Sequence, residues 1–555
     1  MMRSGFASAL TKRRRSARIS AAVFGFLPSV TDLAFLLPFI ALFWCTNGVG
    51  WLLTDSDTGW HIRTGDWILQ HGSIPRTDPF SFTRFGQTWI AWEWLWDVAM
   101  AVAHRLGGLG AVVLVCMLLL GVTSVSVYRN TLIASGHRFI AIVLTWIAMS
   151  ASSVHWLARP HLITPLMSSI FLGVLSDAER SGNARKLWIL PALTMLWANL
   201  HAGFIVALGL IGTYALAGAV DRLFDRQVRI ARIVPRQYAV LILMCILASV
   251  INPYGLDLYV HITHYLGCSF YWERISEFRS VDFHSPTAAY FETLLILAVA
   301  SAAHHLKRRR TTHTLLLLSW SHLALFSVRN IPIFAAISVP SVGWAIKEWI
   351  EGAQTHWKGS WVCGLRDAIG SLEADLRAMS LKRKGVYMHA VVSIAVLVFA
   401  SILYHPGRSK TFVPEFDGSR FPMDAATFLS DRPQFSGMRL YSNWQWGGYL
   451  IYRLWPGLKV FNDGRTDFYG PEFVEEGTRV WEARPDWAET LAQYSVDAAL
   501  VPTQSALATV LRERVDWELI YEDRVSVLFR KVETERSVEL SFPARATDRD
   551  EARDP

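Results

Sequence analysis

The chain has 555 residues, 52% of them hydrophobic and 18% charged, with a mean hydropathy of +0.26. Soluble domains run nearer a quarter charged, so this composition excludes an ordinary soluble globule and points to a chain that meets lipid. The formal net charge of +8 is gathered into a few short stretches, which reads as a topology signal rather than a nucleic-acid surface.

The N-terminus, Met1 to Arg18, is basic, carries no acidic residue and holds Lys12-Arg13-Arg14-Arg15. The apolar region after it runs to about Leu53, too long for a signal-peptide core, so a retained first helix is expected. Apolar blocks approaching or exceeding the ~20 residues needed to cross a bilayer then fall near 31–53, 110–127, 139–156, 162–176, 187–199, 202–220, 238–252, 287–304, 311–328, 331–348 and 386–404. The expected fold class is a polytopic α-helical membrane protein with about 11 to 12 crossings. A further stretch, 91–106, is broken by Glu93, Asp97, His104 and Arg105 and is expected to lie along the surface or re-enter rather than cross. Five cysteines (Cys45, Cys116, Cys245, Cys268, Cys363) lack metal or redox spacing, so no disulfide framework is expected.

Lys and Arg gather at the N-terminus, in 221–237, in 304–310 and in 347–384. The positive-inside rule places all four in the cytoplasm. The first outer loop (54–108), the turns near 157–161, 199–201 and 328–331, the loop 253–286 and everything after 404 are then outside. Unusual polar residues converge on that face. The first loop opens Thr54-Asp55-Ser56-Asp57-Thr58-Gly59-Trp60-His61, continues as an interfacial helix over 60–71, and reaches Trp92-Glu93-Trp94. Arg159-Pro160-His161, Asn199-Leu200-His201 and Arg329-Asn330 end other crossings there. Ionisable groups at membrane depth are costly unless paired or facing a wet cavity. A shared cavity lined by His61, Glu93, Arg159, His161, Asn199, His201 and Arg329 is therefore expected, against the blander reading of helix caps and interface anchors. Asp55 and Asp57 are the sharpest pair: two carboxylates fit to bind a divalent cation, Mg2+ or Mn2+, or to act as general base. The competing reading is an Asx-type cap opening the loop helix.

After Tyr404 the composition changes. Strands are expected at 438–441, 458–462, 496–501, 517–521 and 525–530, and helices near 444–454, 471–482, 486–494 and 504–514. This makes a small α/β domain. Its segment Asn462-Asp463-Gly464-Arg465-Thr466-Asp467 follows a strand, where ligand loops of α/β sheets sit; an Asp-Gly turn with a structural Arg–Asp pair explains it equally well. The expected organisation is a basic cytoplasmic N-terminus (1–30), a transmembrane domain (31–404), an extracytoplasmic α/β domain (405–536) and a disordered tail (537–555).

A first outer loop starting with Asp55 and Asp57, a surface helix after it, Glu93 before the next apolar stretch, and Ala158-Arg159-Pro160-His161 opening a helix together resemble the GT-C superfamily of membrane glycosyltransferases, in particular its dolichyl-phosphate-mannose-type and aminoarabinose transferase branch. The resemblance covers about 30–405 in organisation and 54–97 and 158–165 in motif. It implies that Asp55 or Asp57 is catalytic. It also implies a polyprenyl-phosphate-linked sugar as donor, a glycan, lipid or protein as acceptor, and a bacterial inner membrane as the place. His161 stands where the superfamily often has Asp, and no Trp-Trp-Asp-Tyr-Gly-like motif is present. Arg159, Arg329 and Arg63 are the outer-face cations fit for a donor phosphate. The alternatives are a transporter or flippase of a lipid-linked or small polar substrate, and a surface-polysaccharide polymerase or ligase.

Overall fold

The computed structural model describes residues 29–46, 48–224, 233–285, 287–356, 361–381, 394–395 and 413–532. The basic N-terminus up to 28, most of the crossing expected at 386–404 and the tail from 533 lie outside the described residues. Six described helices are long and apolar enough to cross a membrane: Trp94–Ser135, Arg138–His155, Pro160–Ser181, Ala202–Phe224, Ala288–Lys307 and Val328–Gly352. Shorter apolar helices, Val30–Cys45 and Pro235–Ser249, fill other expected blocks. Glycines in the left-handed region, Gly136 and Gly182, end two of the helices. Within the bundle, Thr123, Thr131 and Thr145 donate to the carbonyls four residues back on their own helix, which keeps them compatible with an apolar surround.

The helix Trp94–Ser135 is two helices. Its backbone breaks at Gly107 (φ −160°, ψ 29°) and Gly108 (φ 60°, ψ −154°); the second conformation is one that glycine alone adopts without strain. The part before the break does not traverse the bundle. Trp94 at its start donates to Asn199, while His104 and Arg105 at its end reach Tyr452 and Asp66. This part forms a ledge against the first-loop helix, Gly65 lying against Asp97 and Asp66 against Arg105.

The first-loop helix, Asp57–His71, lies between that ledge and the C-terminal region. Two small faces make the close approach: a methyl on Gly65 would fall 2.0 Å from the Asp97 carbonyl oxygen, and one on Gly59 would fall 2.3 Å from that of Gly448. Four residues beyond Gly59, Arg63 donates to the Tyr452 carbonyl, itself four residues beyond Gly448. The C-terminal region therefore packs directly on the first loop, whichever side of the membrane both occupy.

That region holds a five-stranded sheet: β1 (Arg439–Ser442), β2 (Lys459–Val460), β3 (Ala498–Pro502), β4 (Trp517–Glu522) and β5 (Ser526–Lys531), in the order β2-β1-β3-β5-β4. β1 runs parallel to β2 and β3, and β5 is antiparallel to β3 and β4. Helices Trp444–Leu454, Pro471–Trp481, Trp487–Gln493 and Ala506–Arg512 connect them, as the alternating pattern led us to expect. The sheet does not stand apart. Leu440, Trp446, Tyr449 and Leu450 share one continuous apolar core with Leu52, with Trp60, Phe80 and Trp89 of the first loop, and with the helix bundle. Ser81 of the loop also bridges to Val460 at the sheet edge.

Candidate active site

The chain enters the site through Asp55, whose carboxylate accepts the backbone N–H of Asp57 at 2.8 Å. This is the Asx-type cap that competed with the functional reading. Asp57, in the first turn of the loop helix, turns inward and is buried. It lines a cavity of about 350 Å3 together with Glu93, Arg159, His161, His201 and Arg329. Asp55, His61 and Asn199 are not on the cavity wall. His61 stands behind it, one helical turn after Asp57. Asn199 is consumed by Trp94 and by the Met195 and Ile251 carbonyls. The convergence expected from the outer-face motifs is present on the cavity wall for six of the predicted residues and not for three, whose side chains are engaged elsewhere: Asp55 by the Asp57 N–H and Arg159, His61 by Asp97, and Asn199 by Trp94.

Arg159 is the hub. Its guanidinium lies 2.9 Å from Asp55 Oδ2, 3.1 Å from Asp57 Oδ2 and 2.9 Å from Glu277 Oε1. One fork thus faces three carboxylates, a geometry a lysine ammonium cannot copy. The three do not share it equally. Burial opposes ionisation of Glu277, but Arg159, His155 and Arg329 outweigh it and hold its carboxyl down at about 2. Asp57 goes the other way: burial first, then the charge of Asp55, lift its carboxyl to about 7 against the pull of Arg159. Asp57 is therefore a base poised near neutrality.

Glu93 is lifted further, to about 8, by burial that the Arg159 charge only partly offsets. It lies 3.8 Å from His61 Nε2 and 3.6 Å from His201 Nε2. His61 bonds Asp97 through Nδ1 at 2.6 Å, and burial holds its imidazole neutral, well below the usual range. His201 Nδ1 meets the Thr164 hydroxyl at 2.8 Å. A chain of buried polar groups thus runs from Asp97 through His61 and Glu93 to His201 along one side of the cavity.

Two predicted cation roles change. Arg159 was expected to be available to an anion, yet its fork is occupied by carboxylates. Arg63 is turned away onto Tyr452 and Asp66, because the C-terminal helix supplies a carbonyl where an open outer surface was expected. Arg329 stays on the wall. Its Nε is 3.7 Å from Glu277 and its guanidinium lies over the Phe278 ring. Tyr265 and Trp272 pack on the same Phe278 ring, and with Leu266, Leu323 and Phe326 they give the cavity an apolar stretch of wall.

Several residues of the site, Glu277 behind the wall and His155 on it, had no sequence signal strong enough to single them out. Glu277 sits in the long loop 253–286 without a motif, and His155 precedes the Arg159 turn. Gly464 to Asp467 of the C-terminal region also line the cavity, with Asp467 held by His261 at 2.9 Å. The Arg465–Asp463 pair proposed as structural does form; the same turn is also site wall. Among the described residues no group of three or more His, Cys, Asp or Glu is spaced to hold a metal ion. Asp55 and Asp57, the expected pair for Mg2+ or Mn2+, both pair with Arg159.

No family model and no curated protein sequence matches the chain. Solved structures do. The oligosaccharyltransferase of Archaeoglobus fulgidus in the apo form is 12% identical, the match covering 86% of this chain and 69% of that one with a TM-score of 0.55. AglB, an archaeal oligosaccharyltransferase of the same organism in complex with an inhibitory peptide and a dolichol-phosphate, is 12% identical over 92% and 74% of the two chains, with a TM-score of 0.54. ArnT from Cupriavidus metallidurans bound to undecaprenyl phosphate is 14% identical over 89% and 98%, with a TM-score of 0.40. At these identities the likeness is one of fold: this chain shares the overall fold of the two archaeal oligosaccharyltransferase structures.

Proposed function

We propose that the protein is a membrane glycosyltransferase that moves a sugar from a polyprenyl-phosphate donor to an extracytoplasmic acceptor. One observation carries the reading. The cavity joins a buried carboxylate poised near neutrality, Asp57, to a wall arginine, Arg329, and to an apolar stretch of wall, Tyr265, Leu266, Trp272, Leu323 and Phe326. A ligand filling it must have a reactive polar end, an anionic centre and an apolar tail. A sugar linked through phosphate to a prenyl chain has those three parts in that order. The archaeal protein that shares this fold holds a dolichol-phosphate, which supports the same class of donor here.

In this reading Arg329 holds the donor phosphate by charge-assisted hydrogen bonds. The apolar wall residues Tyr265, Leu266, Trp272, Leu323 and Phe326 take the first prenyl units. The acceptor hydroxyl or amine attacks the anomeric carbon from the side opposite the phosphate. The bond from that carbon to the acceptor forms as the carbon–oxygen bond to phosphate breaks, and its electron pair leaves with the polyprenyl phosphate. The acceptor proton passes to the Asp57 carboxylate, and the anomeric configuration inverts. Arg159, with Asp55 and Glu277, fixes the Asp57 carboxylate, and Asp55 supports it rather than touching substrate. Glu93, neutral below about pH 8, is able to donate a hydrogen bond to the sugar.

Labelled polyprenyl-phosphate sugars offered to the purified protein with mixed envelope acceptors test the proposal. Label transferred to an acceptor with release of polyprenyl phosphate is expected. Label that crosses a vesicle membrane still attached to its lipid would replace this reading with the transporter one.

A further inference from the structure

We propose that the Asp463-Gly464-Arg465 turn of the C-terminal region is a positioning element of the active site: it seats the carboxylate of Asp57. The inference rests on Asp57 as the reacting base and goes beyond it, since it assigns the C-terminal region a part in the chemistry.

The geometry is direct. A methyl group placed on Gly464 would fall 2.0 Å from Asp57 Oδ1, 2.8 Å from its Cγ and 2.9 Å from Oδ2. All three distances are far inside van der Waals contact, so Asp57 Oδ1 occupies the place that a Cβ on Gly464 would take. The backbone of Asp57 is held from the same side. A methyl on Gly448 would fall 2.4 Å from the Ser56 carbonyl oxygen and 3.2 Å from the Asp57 nitrogen. One glycine of the C-terminal region thus fixes where the Asp57 main chain runs, and a second fixes which way its side chain points.

The turn that presses on Asp57 is itself rigid. Arg465 is 2% exposed and grips Asp463 through Nε at 2.8 Å and Nη2 at 2.6 Å. Tyr469 donates to the same carboxylate at 2.8 Å. Arg465 Nη2 also lies 2.9 Å from Asp78 Oδ1, which belongs to the first loop. The Asp78 carboxylate in turn accepts from the Phe80 and Ser81 N–H groups. The rings of Trp89, Phe468 and Phe80 pack around the guanidinium at 4.5, 5.1 and 5.3 Å. A buried ion cluster enclosed this way is costly to break from either side. It ties the turn to the loop that carries Asp57, so the register between Gly464 and the carboxylate is set by the junction as a whole.

A purely structural glycine would lose stability on substitution without reference to Asp57. A positioning glycine is coupled to it, and a double-mutant cycle separates the two. The full-length protein in detergent is compared as wild type, Gly464→Ala, Asp57→Ala and the double variant, with Gly418→Ala, whose nearest neighbour is the Met423 sulfur at 3.4 Å, as control. Gly464→Ala is expected to lower the unfolding midpoint by about 2–6 °C, the size of an overpacking strain. In the Asp57→Ala background the same change is expected to lower it by less than about 1 °C, because the atoms it meets are gone. Should Gly464→Ala fail to accumulate alone, the double variant must restore accumulation. Equal losses in both backgrounds, or no restoration, overturn the proposal.

These readouts use no substrate, so they stand apart from the transfer reaction. Where transfer is measured, Gly464→Ala is expected to reduce kcat about 10²-fold, the cost of displacing a reacting group by an ångström. KM for the lipid donor stays unchanged, since Arg329 is untouched. Undiminished kcat would also overturn the positioning role, whereas absence of transfer in the wild type would overturn the proposed function and leave the stability cycle to decide this inference.

Discussion

Replacing Arg159 with methionine removes the guanidinium on which Asp55, Asp57 and Glu277 converge at 2.9, 3.1 and 2.9 Å. The arginine side chain is 17% exposed, so little water is at hand to take its place. Breaking a buried pair from one side costs about 3–5 kcal/mol, and the residual exposure favours the lower end, about 3 kcal/mol. The size must also depend on pH. In the wild type, Asp57 releases its proton near pH 7. Without Arg159 its carboxyl is held higher still, so above pH 7 the variant keeps one more proton than the wild type. The stability difference should then widen by about 1.4 kcal/mol per pH unit above 7 and flatten below it. Arg159→Lys keeps the charge without the fork and should cost about 1.5–3 kcal/mol, one or two charged hydrogen bonds. Denaturant unfolding in detergent, followed by tryptophan fluorescence at pH 6, 7 and 8, measures all of this. A cost under 1 kcal/mol, or one that ignores pH, would refute the claim that Arg159 holds three buried carboxylates together.

Asp57→Asn keeps the shape of the side chain and removes the base, so turnover should fall about 10²–10⁴-fold with the fold intact; Asp55→Asn, off the cavity wall, should fall less, and the reverse order would exchange their roles. The pH–rate profile should rise through about 7 as Asp57 ionises and fall through about 8 as Glu93 does; Glu93→Gln, which mimics the neutral acid, should abolish the alkaline limb alone. Stability should run against the acid limb. Asp57 and Glu93 have raised carboxyls, so their contribution is full below about pH 4 and is lost as pH rises through 7 and 8. Glu277 is depressed to about 2, so its contribution is present above about pH 4.5 and lost as pH falls toward 2. A thermal midpoint that climbs steadily from pH 5 to 8 would contradict these assignments. Reporter fusions at Lys410 and Arg309 should place the first outside and the second in the cytoplasm; a reporter active outside at Arg309 would invert the orientation.

The membrane class, the run of helices and the five strands of the C-terminal region were legible in the sequence, because each depends on local periodicity. Lipid demands long apolar runs, a half-buried sheet demands short β-rich ones, and both leave their mark residue by residue. The convergence of Arg159, His161, His201 and Arg329 with the first loop was also legible, since helix ends on one face of a bundle have few other places to be. Only the tertiary structure decided which polar groups face the cavity and which are saturated in its wall. Asp55, Asn199 and Arg63 looked as available as Asp57, His201 and Arg329. What removed them was a backbone N–H two residues away, an indole from the ledge and a carbonyl from Tyr452. Glu277 carried no signal because its meaning lies wholly in its distance to Arg159, across more than a hundred residues of chain. Gly464 was legible as a turn, and its second role was not. A glycine's local signature records the backbone it permits, whereas the carboxylate of Asp57 lying against it is a fact about two distant segments brought together by a buried Arg465–Asp78 pair.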